Sequence, residues 1–161
     1  MRMIDDTDTR ILAILQENAR IPNAEIARQL GMAPSAILER IRKLEERGVI
    51  RGYPAEVDPK PLGFGLMAYV FVRADDRGGG LDTGEALAAI PEVLEVHHIA
   101  GEDCYLAKVR TADTEALGAL LRERVGQIPS VRSTRTTIVL GTLKDDTRLP
   151  LPRETEVATN G

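Results

Sequence analysis

The stretch that decides the fold is residues 31–48, which read GMAPSAILERIRKLEERG. Pro34 suits the first turn of a helix, where the missing N–H needs no partner. Ile37, Ile41 and Leu44 then repeat at i, i+4 and i+7, which predicts a helix with one apolar stripe against a core. The closing glycine ends this pattern. The opposite face carries charged side chains: Glu39, Arg40, Arg42, Lys43 and Glu46.

Two shorter helices are predicted before this one. Ile11 and Leu15 have helical spacing within a first helix from about Asp5 to Asn18. Asn23 can cap a second helix, and Gly31 ends it because glycine tolerates positive φ. Two helices joined by a short turn, the second one cationic on its outer face, indicate a helix-turn-helix.

The chain changes character after this helix-turn-helix. Residues 49–53, VIRGY, are predicted as a short strand, which completes a domain over residues 1–53. Three prolines and two glycines punctuate residues 54–65, which predicts a linker there.

Residues 66–144 contain a weak internal repeat. The motif Ile-Pro-x-Val at residues 90–93 recurs at residues 128–131, and each copy follows a predicted helix. Two βαβ units predict a ferredoxin-like βαββαβ sandwich, so the whole chain is of the α+β class, a winged-helix-like helix-turn-helix domain joined to that sandwich. A flexible tail is predicted over residues 145–161. The predicted elements are strands 66–73, 93–100, 104–110 and 131–140 and helices 83–90 and 114–125.

Composition favours a cytoplasmic protein. The 161 residues are 43% hydrophobic and 29% charged, without an apolar run that could span a bilayer. The acidic start is unlike a signal peptide, and the single cysteine, Cys104, fits a reducing compartment. Residues 1–60 are neutral, with 10 basic and 10 acidic side chains, so residues 61–161 supply the whole net charge of −4. The local cationic stripe after Ser35 suits DNA binding through a dimer.

A helix-turn-helix directs the first turns of its second helix at base edges. We expect Ser35, Ala36 and Glu39 near the floor of the groove, because they can bond to bases or meet a thymine methyl. The alternative is a solvated helix face with ion pairs such as Glu39–Lys43. Five further candidates would reach bases or phosphates: Arg28, Arg40, Arg42, Lys43 and Arg51.

The order of several motifs resembles the Lrp/AsnC, or feast/famine, regulators from about Ile4 to Lys144. The resemblance implies a transcriptional regulator that forms dimers through its sheet domains, often assembled into octamers. It also implies amino acids or related metabolites bound at interfaces between those domains. The motifs are Ile4-Asp5-x-x-Asp8-x-x-Ile11-Leu12-x-x-Leu15, Asn18-Ala19-Arg20, Gly48-Val49-Ile50-Arg51-Gly52-Tyr53 and Gly101-x-x-x-Tyr105-Leu106.

Two positions depart from the family pattern. Ala33 stands where the family usually has serine, which removes the side-chain cap of the third helix. Cys104 stands where the family has an acidic residue tied to effector response. From the residues alone, the turn at 101–105 could hold an amino acid, or it could be an ordinary acidic hairpin turn. The effector-binding residues that the resemblance implies are Gly101, Glu102, Asp103, Cys104, Tyr105, Thr137, Ile138 and Val139.

Two other functions remain open beside the ligand-responsive regulator. One is an enzyme that resembles the sirohaem decarboxylases, which share the two-domain build, and the other is an effector-independent architectural DNA-binding protein. His97 and His98 point to opposite faces of one strand, and no Cys/His cluster has metal spacing. We therefore expect no catalytic residue, no metal and no cofactor. The expected partners are double-stranded DNA, a small-molecule effector and further copies of the chain, without a membrane.

Overall fold

The computed structural model describes residues 4–76 and 81–152, which form two compact units. Of these, residues 4–55 and 145–152 belong to the first unit, and residues 56–76 and 81–144 to the second. Within the described ranges, no helix is long and apolar enough to cross a membrane.

The first unit contains the predicted helix-turn-helix. Gly31 has φ 64°, a left-handed conformation that glycine adopts without steric strain. The chain therefore turns at Gly31, between the second and third helices. One apolar cluster joins all three helices, which stabilises the unit by removing aliphatic surface from water. The helices are α1 (Asp6–Glu17), α2 (Asn23–Leu30) and α3 (Pro34–Glu46).

The helix starts differ in how they are capped. The Asp5 carboxylate accepts the Asp8 N–H at 2.7 Å, and the Asp8 carboxylate accepts the Asp5 N–H at 3.3 Å, which makes a reciprocal capping box. The prediction that Asn23 caps α2 is wrong, because the extended Pro22 precedes the helix and Asn23 is already its first residue. Ala33 precedes α3 without a side-chain cap.

The strand predicted over residues 49–53 is absent. The N–H groups of Val49 and Ile50 both donate to the Leu44 carbonyl, at 2.9 and 3.2 Å, and so close the end of α3. A strand also needs a neighbour, and the described part of the first unit contains none. Ile50 packs against the apolar cluster instead.

Residues 145–152 contact α1. The amide group of Gln16 bonds to both backbone polar groups of Leu149, at 3.0 and 2.7 Å, and Arg148 pairs with Glu17 at 3.1 Å. Exposed contacts of this kind add little stability, so flexibility of the tail stays a prediction. The last part of that tail, residues 153–161, lies outside the described residues.

The second unit has the predicted ferredoxin-like architecture. Its four strands lie in the order β2-β3-β1-β4, and each neighbouring pair is antiparallel. A short 3₁₀ turn, Val125–Gln127, follows the second of the two helices in this unit. The elements are β1 (Leu66–Ala74), α4 (Asp82–Ala88), β2 (Val93–His98), β3 (Tyr105–Thr111), α5 (Thr114–Glu123) and β4 (Val131–Ile138).

Strand alternation separates the two faces of this sheet. Val70 and Val72 of β1 are buried in the same apolar cluster as Leu87 of α4, which identifies the face that the helices cover. Tyr69 and Phe71 alternate with these residues and are half-buried on the other face. The sheet therefore has one covered face and one open face.

A polar network lies beneath α4. Tyr105 is 1% exposed, and its hydroxyl donates to the carboxylate of Asp76. The Thr83 hydroxyl donates to the same carboxylate and lies 2.5 Å from the Ser130 hydroxyl. Burial, reinforced by Asp76, raises the pKa of Tyr105 to about 12, so the phenol stays a neutral donor.

Substitution of Gly84 tests the packing of this tyrosine. A Cβ at this position would lie 2.8 Å from the Tyr105 ring, so Gly84→Ala should lower the free energy of unfolding by about 1–3 kcal/mol. Gly118→Ala is the matched control, since its Cβ would meet only the flexible end of Arg122. That change should stabilise α5 by about 0.5–1 kcal/mol. Chemical denaturation of both variants measures the contrast, and equal effects would contradict it.

The capping box of α1 predicts a pH dependence. The Asp8 N–H, followed by Arg40, lowers the pKa of Asp5 below its ordinary value. Such a carboxylate stabilises the fold above its unfolded pKa of about 4, and the contribution disappears as pH falls through the folded pKa. Asp5→Ala should therefore destabilise the first unit by about 1 kcal/mol at pH 7 and by less at pH 3.

Amide hydrogen exchange in α1 measures this loss of stability. Exchange in α5, which belongs to the other unit, serves as the internal control. A loss in α1 that is equally large at both pH values would show that the ionised carboxylate of Asp5 contributes nothing.

Candidate nucleic-acid interface and effector loop

The outer face of α3 is accessible to solvent. Ile37 and Leu44 are at most 1% exposed, and their burial turns the opposite flank of the helix outward. The side chains of Arg42 and Lys43 on that flank are 56% and 52% exposed. Ser35, in the first turn, is also exposed.

Ion pairs connect the charges on this flank. Arg42 bonds to Glu39 at 2.9 Å and to Glu46 at 3.1 Å, and Lys43 lies 3.4 Å from Glu39. Arg42, followed by Lys43, lowers the pKa of Glu39, which keeps its carboxylate ionised. Exposed ion pairs of this kind are weak, so Arg42 and Lys43 can exchange their glutamate partners for a DNA phosphate with little loss of free energy.

Arg40 has a different environment from its neighbours. Its guanidinium lies 2.7 Å from the carboxylates of both Asp5 and Asp8, and its side chain is 32% exposed. Both carboxylates raise the pKa of Arg40, Asp5 more than Asp8. Arg40, predicted among the DNA contacts, thus fastens α3 to the start of α1. The Asp-x-x-Asp spacing indicates the helix cap, but no sequence pattern indicates that Arg40 would bond to it.

The other predicted DNA contacts also lie in the first unit. Arg28 is exposed on α2, and its Nε donates a hydrogen bond to the Glu25 carboxylate at 2.8 Å. Ala36 is half-buried on α3, and Arg51 is exposed after that helix. Contact with DNA stays a prediction for each of these residues.

The predicted effector loop connects β2 to β3. Gly101 has φ 128°, which favours glycine at the turn, and the Ile99 N–H donates to the Cys104 carbonyl at 2.9 Å. The Cys104 N–H bonds to Val72, and its half-buried thiol donates to the carbonyl of Ala74 at 3.3 Å. Cys104 is therefore held against β1.

The loop meets two arginines, one from β1 and one from β4. Arg73 lies 3.4 Å from Glu102, and Arg135 lies 3.1 Å from Asp103. The Arg135 guanidinium also stacks 4.0 Å from the centre of the Phe71 ring. This end of the sheet thus presents carboxylates and guanidiniums together, which matches the two opposite charges of an amino acid.

The second predicted effector segment, residues 137–139, lies elsewhere on the sheet. Val72 pairs with Tyr105 on one side and with Thr134 on the other, whereas Thr137 pairs with Tyr69. Thr134 is level with Tyr105, and Thr137 lies three residues, or about 10 Å, further along β4. Across the sheet, β1 lies between β3 and β4, so these two strands are also about 10 Å apart. The structure does not bring the two segments together within one chain.

Metal ligands do not cluster in the described residues: no group of three or more His, Cys, Asp and Glu side chains is placed to hold an ion there. His97 lies 3.2 Å from Glu95, whereas the His98 ring lies against Tyr105, with 5.3 Å between the ring centres.

Two family models match the chain. Residues 4–51 match the winged helix-turn-helix DNA-binding model, and residues 67–149 match the Lrp/AsnC ligand binding domain. The HTH-type transcriptional regulator FL11 of Pyrococcus horikoshii is 39% identical over 148 residues, which cover 92% of this chain and 97% of the relative.

Two solved structures are similar throughout. The feast or famine regulatory protein of M. tuberculosis complexed with L-methionine has a TM-score of 0.84 and 36% identity, covering 92% of this chain and 99% of the other. A transcriptional regulator of Neisseria meningitidis in complex with L-Met has a TM-score of 0.82 and 30% identity, covering 92% and 97%. The protein therefore belongs to the Lrp/AsnC family of metabolite-responsive, DNA-binding transcriptional regulators.

Proposed function

We propose that this protein is a sequence-specific transcriptional regulator that binds DNA through α3 and responds to an amino acid. The observation that carries the proposal is the exposed polar and cationic flank of α3, which an apolar core holds in a helix-turn-helix. The amino acid is inferred from the ligand-binding domain of the family and from the two relatives solved with methionine.

In the proposed DNA complex, base contacts and phosphate contacts have different roles. Ser35, Ala36 and Glu39 contact base edges, which gives the sequence preference. Arg42 and Lys43 leave their glutamate partners for phosphates or bases, while Arg28 and Arg51 contact phosphates. Arg40 is a positioning residue, because its two aspartates hold it against α1. Binding is therefore salt-dependent.

We further propose that the active form is a homodimer built on the second unit, with octamers as the larger assembly. Tyr69 and Phe71 are only half-buried on the open face of the sheet, and a second copy would cover them. The loop and residues 137–139 lie at different levels of the sheet within one chain, so we infer that a second copy contributes its residues 137–139 to an amino acid held at the loop. The effector site then includes two chains.

The proposal excludes an enzymatic role. Its relatives are regulators, so we infer that the chain is not an enzyme, and we expect no turnover of sirohaem. Chromosomal DNA is the proposed partner, which implies action in the cytoplasm.

The DNA surface is tested by removing two charges. Arg42→Ala combined with Lys43→Ala should weaken binding to a selected DNA duplex. It should also reduce the slope of log K against log salt by about one for each lost phosphate contact. Fluorescence anisotropy at several salt concentrations measures both quantities.

The control removes the same charge elsewhere. Arg122→Ala combined with Arg124→Ala changes two exposed cations near the end of α5 and should leave affinity and slope unchanged. Equal effects in the two double variants would mean that net charge, and not the α3 surface, accounts for the loss.

The effector is tested by thermal shift with each of the twenty amino acids. A ligand that binds only the folded chain raises the melting temperature, with about 2.7 kcal/mol of stabilisation at a hundred times its Kd. We expect at least one amino acid to do so, and Asp103→Asn or Arg135→Gln to remove the shift. Both side chains belong to the charged group at the loop.

Arg132→Ala is the matched control for the effector test. Arg132 is also an exposed β4 arginine in an ion pair, but it bonds to Asp75 at 3.0 Å. If no amino acid shifts the melting temperature while DNA binding persists, the chain is an effector-independent DNA-binding protein.

A further inference from the structure

Leu38 is a large apolar side chain on the outward side of the recognition helix α3. It is 57% exposed, whereas Ile37 and Ile41 on either side of it are at most 7% exposed. Those two residues belong to the apolar cluster of the first unit, which does not include Leu38. Packing within this unit therefore leaves more than half of the Leu38 side chain in water.

The helical neighbours of Leu38 are the proposed DNA contacts. Ser35 lies one turn before it and Arg42 one turn after it, both exposed on the same side of α3. Leu38 lies between them along the helix and about 40–60° to one side of both, so a duplex that touches these two residues comes within reach of the leucine. Docking would then remove the Leu38 side chain from water.

The partner atoms in such a contact can be deduced from DNA chemistry. Base edges in the major groove present hydrogen-bond donors and acceptors, and the apolar group among them is the C5 methyl of thymine. A phosphate offers charge only, which suits Arg42 but not an aliphatic side chain. A leucine buried in the groove is stabilised where it meets that methyl group.

We propose that Leu38 is a specificity-determining residue that recognises a thymine methyl group in each half-site. The inference rests on the proposed DNA-binding function and adds a larger apolar contact to the base contacts proposed for Ser35, Ala36 and Glu39. Leu38 also borders a groove with Ile21 and Tyr53. The charged and polar residues beside it on α3 favour DNA over an apolar protein partner for this side chain.

Deoxyuridine substitution tests this contact, because it removes only the C5 methyl from thymine. The full-length wild-type protein first selects a duplex from a random library, and each thymine is then replaced in turn. At one thymine in each half-site, the replacement should weaken wild-type binding about fourfold. Leu38→Ala should bind the thymine duplex more weakly and show no further loss with uracil at that position.

Three additional measurements separate this role from others. Leu38→Met should keep the sensitivity to the methyl group, because it remains apolar and of similar volume. Leu38→Ala should leave the salt slope unchanged, since no charge is removed. Leu149→Ala, at a position that is 67% exposed in the first unit but outside α3, is the matched control and should bind like the wild type.

The possible outcomes test the methyl contact of Leu38 separately from the proposed DNA-binding function. If wild-type protein selects a duplex but uracil affects wild type and Leu38→Ala equally at every position, the methyl contact is wrong and DNA binding stands. If the wild type selects no duplex at all, both proposals fail.

Discussion

Burial of one aliphatic stripe on α3 determines the rest of the DNA-binding surface. Ile37 and Ile41 pack with Ile11 of α1 and Ile26 of α2, and this contact sets the rotation of the helix about its own axis. Because successive side chains are 100° apart, the polar residues at the remaining positions must face outward. No contact with the second unit is needed to produce this arrangement, so the surface is a property of the three helices alone.

Local patterns were enough to predict the helices and the order of the strands, but not the environment of each charge. Arg40 and Arg42 look equivalent in the sequence, yet Arg40 bonds to Asp5, 35 positions away. No periodicity within α3 contains that information, since it depends on how α1 packs. The strand predicted over residues 49–53 is absent for a related reason, because β-branched residues form a strand only where another strand can pair with them.

The arrangement of the candidate effector site also could not be predicted from local sequence patterns. The resemblance implied effector contacts both in the loop at 101–105 and at residues 137–139. Only the register of Thr137 opposite Tyr69 reveals that they occupy different levels of the sheet. Tyr105 was predicted to bind the effector, but its ring is buried and its hydroxyl bonds to Asp76. The accessible chemistry of the loop lies instead at Glu102, Asp103 and the arginines opposite them.

The charge on α3 links DNA binding to assembly. Arg40 is engaged with two aspartates, and Glu39 and Glu46 balance much of the remaining positive charge around Arg42. In the proposed complex, one copy of the chain would therefore make few net phosphate contacts, and such contacts supply most of the sequence-independent affinity. In the proposed dimer, a second copy on the same duplex would double these contacts and make the second docking event intramolecular. An effector that changes the pairing of the second units would therefore change DNA occupancy without any movement of α3.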